Sequence, residues 1–130
     1  MNPRYLIPAL IWSLLIFWII SLPGSSIPKT PLLQLPHFDK FVHVSIFMVF
    51  AFLLAFGIDK QEVKGIQRNI YTITIAICVI YSTGTEWLQH NYVPGRHGDF
   101  WDILANLAGS LTGLMIYLHR ISLLSFFWKR

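Results

Sequence analysis

The run from Asp39 to Ile58 reads DKFVHVSIFMVFAFLLAFGI. Its ionisable side chains, Asp39, Lys40 and His43, all stand in the first five residues, and nothing charged follows them. A transmembrane helix needs roughly 20 mostly apolar residues, so this run is read as a span entered from a polar end.

Three more segments fit the same reading, at Tyr5–Leu22, Asn69–Gln89 and Asp99–His119. Pro8 falls in the first turn of the earliest, where its missing N–H costs little. A signal peptide is the competing reading of that segment. It is set aside because the apolar run is long enough to span and no small-residue cleavage site follows. Between the first two spans lies Pro23 to Pro36, a Pro- and Ser-containing loop whose Leu32, Leu33 and Leu35 suggest an interfacial position. A charged link, Asp59–Arg68, joins spans two and three, and a turn at Asn91–Gly98 joins three and four. The tail Arg120–Arg130, with Phe126, Phe127 and Trp128, is expected on the membrane surface.

Composition agrees. Of 130 residues, 55% are hydrophobic and 12% charged, against about 25% charged in soluble domains. The expectation is an all-α membrane protein forming a single four-helix domain over residues 1–130. The net charge of +4 is assigned to topology and anionic lipid, with no nucleic acid as partner, because the basic residues sit at the ends of apolar runs. Arg4, Lys60, Lys64, Arg68, Arg120, Lys129 and Arg130 fall on one side, and Lys29, Lys40 and Arg96 on the other. Seven against three puts both termini in the cytoplasm. Tyr92 and Trp101 are then expected in the outer aromatic belt, and Tyr5, Tyr71 and Tyr117 in the inner one. Cys78 is the only cysteine, which excludes an intrachain disulfide and a cysteine metal cluster.

Alternating topology gathers the polar residues at the outer end. Asp39, Lys40 and His43 open span two; Glu86 and Gln89 close span three; Arg96 lies in the turn; Asp99, Asp102 and Asn106 enter span four. Ionisable groups in a membrane are costly and normally pair or face a wet cavity. On span four, Asp99, Asp102, Asn106, Gly109 and Gly113 share an arc of roughly 80° at about 100° per residue. Its inner half, Gly109-x-x-x-Gly113, admits a close backbone partner. Leu114 is expected on the lipid side.

The pattern Asp39-Lys40-x-x-His43, Glu86-x-x-Gln89 and Arg96-x-x-Asp99-x-x-Asp102-x-x-x-Asn106-x-x-Gly109-x-x-x-Gly113 resembles the VanZ-like family of small bacterial membrane proteins. The resemblance implies a multi-pass protein of the bacterial cytoplasmic membrane. It also implies an association with glycopeptide resistance, above all to teicoplanin. It supplies no reaction.

Three functional readings stand open. In a structural network, Arg96 pairs with Asp99 or Glu86 and Lys40 with Asp102, while Gln89 and Asn106 bridge helices. In a catalytic site, His43 is the acid or base, Asp39 orients it, and Glu86, Asp99 and Asp102 are carboxylates tuned by Arg96 and Lys40. Its substrate would be a lipid or lipid-linked cell-envelope molecule, and a lipid-linked cell-wall precursor or the glycopeptide is a candidate partner. In a binding or transport site, Lys40 and Arg96 clamp an anion beside Gln89 and Asn106. Transport through so few helices would call for a homodimer. His43, Glu86, Asp99 and Asp102 are candidate ligands for a divalent metal, although the spacing matches no metal motif. His37, His90 and His97 are read as solvated surface residues.

Overall fold

A computed structural model describes residues 2–26, 37–61, 63–96 and 98–128, with the side chains of 121–128 left out. After a 3-10 turn at Pro3–Leu6, the helices are α1 (Ile7–Ile20), α2 (Phe38–Asp59), α3 (Lys64–Arg68), α4 (Ile70–Tyr92) and α5 (Phe100–Trp128). The first span thus begins with a tighter turn than expected, and the charged link contains the single-turn helix α3. Most of the Pro-rich loop, including its leucines, lies outside the described residues.

Side-chain pairs fix how the helices run. Lys40 meets Asp102, His43 meets Asn106, and Phe52 packs edge-on against Tyr117, so α2 and α5 are parallel. Ser13 accepts from Tyr81 through its carbonyl, and the Ile20 carbonyl accepts from Gln89, so α1 and α4 are parallel too. The Trp12 indole donates to the Ile46 carbonyl at 2.9 Å, while Gly57 of α2 lies against Tyr5 and Leu6, which makes α1 and α2 antiparallel. The arrangement is an up-down bundle whose polar helix ends converge at one pole. At that pole the Gly24 amide donates to the Pro94 carbonyl at 3.0 Å, joining the segment after α1 to the turn before α5.

α2 is the hub and packs against α1, α4 and α5. Its Phe47, Phe50, Ala51, Leu54, Ala55 and Ile58 enter the core with Ile16 and Ile20 of α1, Cys78 of α4 and Leu114 and Tyr117 of α5. The glycine stripe faces protein, as its spacing implies. A Cβ on Gly109 would fall on the Val44 carbonyl, and one on Gly113 on the Met48 carbonyl.

Two expectations need correction. Leu114 is 3% exposed, not lipid-facing. Because α5 packs on both α2 and α4, its buried arc runs from Ala105 through Asn106, Ser110 and Gly113 to Leu114. At 100° per residue that is about 180°, more than twice the width of the polar and glycine stripe. Tyr117 is likewise buried rather than part of the inner belt, and its hydroxyl donates to Asp59 Oδ2 at 3.0 Å. α5 also continues as helix to Trp128, past the end of span four expected at His119.

Outside the core the surface is apolar. Leu10, Ile11, Leu14 and Trp18 of α1, Ile80 and Trp87 of α4, and Trp101 and Met115 of α5 are all exposed. A soluble monomer rarely shows so much contiguous apolar surface, whereas a bilayer accepts it. Among the described residues, three helical segments are long and apolar enough to cross a membrane: Pro3–Ile20, Phe38–Asp59 and Phe100–Arg120. α4 has the length, at 23 residues, but is not among them. Its buried stripe explains the shortfall. Thr74, Cys78, Ser82, Thr85, Glu86 and Gln89 turn inward, so its polar residues lower its hydropathy while its outer face stays apolar.

Candidate functional site

Each helix end at the polar pole contributes for a local reason. Asp99 stands before the first residue of α5 and accepts from the Trp101 amide at 3.1 Å, the geometry of an N-cap. That bond, with the Lys40 ammonium beside it, holds the Asp99 carboxyl below the usual carboxylate range. Gln89 donates to the Ile20 carbonyl at 3.2 Å, satisfying an acceptor left open where α1 ends.

Lys40 is surrounded by carboxylates. Its Nζ lies 2.5 Å from Asp102 Oδ1, 3.1 Å from Asp99 Oδ2 and 3.3 Å from Asp39 Oδ2. Asp102 is the buried partner, while Asp39 and Asp99 are open to solvent. Deeper in, His43, Glu86, Asp102 and Asn106 are all buried. His43 Nδ1 is 3.0 Å from Asn106 Oδ1 and 3.6 Å from Glu86 Oε1, and His43 Nε2 is 3.9 Å from Asp102 Oδ2. Asn106 Nδ2 donates to Ser82 Oγ at 2.9 Å and, more weakly, to Glu86 Oε1 at 3.5 Å.

The residue that orients His43 is therefore Asn106; Asp39 bonds to Lys40 instead. Asp99 also stays apart from the deep cluster. Of the four candidate metal ligands, the structure brings together His43, Glu86 and Asp102, with one donor atom from each within 4.8 Å of the others. Ser82, the hydroxyl beneath Asn106, was missed by sequence reasoning. It lies four residues before Glu86 on the same face of α4, and that spacing was the available signal.

Arg96 pairs with neither Asp99 nor Glu86 among the described ion pairs, and its buried Nε has no hydrogen-bond partner. It lines a cavity of about 340 Å³ with the polar Ser26, Asp39, His43 and Gln89 and the apolar Ile20, Leu22, Phe38, Val42 and Ile46. A wider, open depression of about 800 Å³ lies over Lys40, bordered by His37, Asp39, Asp99, Trp101 and Leu104. His37 and His90 are exposed, and His97 lies outside the described residues.

This pole can carry out three kinds of chemistry. The imidazole and buried carboxylates can relay a proton, the same three side chains can ligate a cation, and Arg96 can receive an anion. Neither the curated proteins nor the solved structures gave a match to this chain. A family profile described as VanZ/LLP1 matches residues 5–125, a stretch that includes all five helices except the last turn of α5 and every polar side chain of the pole. The chain therefore belongs to the VanZ-like family.

Proposed function

We propose that this is a multi-pass protein of the bacterial cytoplasmic membrane whose extracytoplasmic pole binds the anionic headgroup of a cell-envelope lipid or lipid-linked precursor. Through that ligand it alters susceptibility to glycopeptides such as teicoplanin. One observation carries the reading: Arg96, whose buried Nε has no hydrogen-bond partner, lines a cavity with largely apolar walls. An acyl or prenyl chain suits those walls, and a phosphate or carboxylate suits the guanidinium.

In this reading α1, α2, α4 and α5 are the four spans, with both termini inside. The alternation of helix directions and the seven-to-three basic count support it. With Cys78 replaced by alanine, a cysteine at Ser26 reacts with an impermeant thiol reagent applied to intact cells, and one at Lys64 does not. The reverse pattern would turn the pole toward the cytoplasm and remove the envelope ligand.

Arg96→Gln tests the ligand. It keeps hydrogen-bonding ability but removes the charge. In a host where the intact gene raises teicoplanin resistance, the variant is expected to lose that effect at unchanged membrane abundance and melting temperature. Full resistance from a stably expressed variant would defeat the proposal.

The satisfied chain from His43 through Asn106 to Ser82 favours a second reading, in which the cluster only holds the helices together. In that case Asn106→Ala loses abundance and phenotype together, while Arg96→Gln, outside that chain, changes neither.

A further inference from the structure

His43, Glu86 and Asp102 reach the same point from three different helices, and each is at least nine-tenths buried. Two donor atoms there are left open. Glu86 Oε2 is buried without a hydrogen-bond partner. The second is on His43. Because Asn106 Nδ2 donates to Ser82 Oγ, its Oδ1 is the acceptor for His43, which assigns the imidazole proton to Nδ1. Nε2 lies 3.9 Å from Asp102 Oδ2, too far for a direct hydrogen bond. Lys40 reaches the other oxygen of Asp102, and no lysine or arginine among the described ion pairs reaches Glu86. Two buried carboxylates thus share one ammonium.

We propose that His43, Glu86 and Asp102 bind a single divalent transition-metal ion, Zn²⁺ or Mn²⁺, through His43 Nε2 and a carboxylate oxygen from each acid. One imidazole with two carboxylates suits these ions, whereas Mg²⁺ and Ca²⁺ favour all-oxygen shells. Donors about 2.1 Å from a shared ion lie roughly 3–3.5 Å apart, so a spread of up to 4.8 Å closes with small side-chain rotations. Asn106 holds the imidazole in the ligating tautomer, the usual task of a residue behind a metal-bound histidine. The site shares His43 with the neighbouring cavity but needs nothing bound there.

The test uses the full chain in detergent, stripped with a chelator and titrated with Zn²⁺, Mn²⁺ and Co²⁺. One ion per chain is expected to bind with a dissociation constant in the micromolar range or tighter. The Co²⁺ form should show visible d–d absorption, and the Mn²⁺ form one coordinated nitrogen by electron spin echo. His43→Gln, Glu86→Gln and Asp102→Asn should each weaken binding by more than 100-fold, and Asn106→Ala by about 10- to 100-fold. His37→Gln and His90→Gln, at exposed imidazoles, should leave it unchanged. Where a cluster variant does not stay monodisperse, the nitrogen signal from the native chain decides. No uptake by the native chain, an ion bound without nitrogen, or binding that survives in folded cluster variants would each overturn the proposal.

Discussion

Gly109→Leu and Gly113→Leu each prevent α5 from seating on α2, and neither variant is expected to purify as a stable, monodisperse protein. The Cβ alone would fall on the Val44 and Met48 carbonyls, and these are backbone atoms that cannot rotate away. Overpacking a well-packed interface costs about 1–3 kcal/mol where side chains can yield, and more where the obstacle is main chain. The helices must separate, which also pulls apart Lys40 and Asp102, and His43 and Asn106, one to three turns above. Alanine at either position is damaging for the same reason, only less so. Met115→Ala is the control, because Met115 is 69% exposed on the outer face of the same helix. Thermal unfolding in detergent measures the difference. A leucine variant that melts with the wild type would mean that the two helices are not in contact there.

The second large effect is expected from Lys40→Met. Methionine keeps the length of the side chain and removes the ammonium, leaving Asp102 buried beside Glu86 without its cation. Breaking a buried ion pair from one side typically costs 3–5 kcal/mol. Lys40 keeps 26% of its side-chain surface, so the loss should lie near the lower figure, at about 3 kcal/mol. Adding Asp102→Leu removes the stranded charge, and the double variant should recover part of the stability. The cycle is run with a chelator present, so that no ion substitutes for the ammonium. If Lys40→Met and the double variant were equally unstable, the damage would come from lost packing and not from the charge.

Much of this arrangement was legible in the residues, because two periodicities coincide on α5. Asp102, Asn106, Gly109 and Gly113 recur at three or four residues, so one face had to be both polar and closely packed. The same spacing on α2 and α4 brought His43 and Glu86 to the polar pole. Spacing along one helix does not say how many neighbours that helix has. Leu114 and Tyr117 were misplaced for that reason: contact with α4 as well as α2 widens the buried side of α5. Nor does spacing choose among partners of equal reach. Lys40 had three acids available and bonds to all of them, while Arg96 bonds to neither of the acids considered for it. The ion pair was an open alternative in the sequence. The unpartnered Nε of Arg96 came only from the structure. α4 shows the limit in another way, since a span that turns its polar side chains inward loses the apolar signature by which spans are found.

The uninterrupted course of α5 has a consequence in length. At 1.5 Å per residue its 29 residues extend about 43 Å, against roughly 30 Å of hydrocarbon. Phe100 to Arg120 alone takes up about 30 Å, so on the proposed topology Trp101 and Arg120 stand near the two borders. The two turns after Arg120 then extend about 12 Å past the hydrocarbon, continuous with the helix that carries Asp102 and Asn106. On that topology, a reporter fused in helical phase after Trp128 is joined to the polar pole by one unbroken helix.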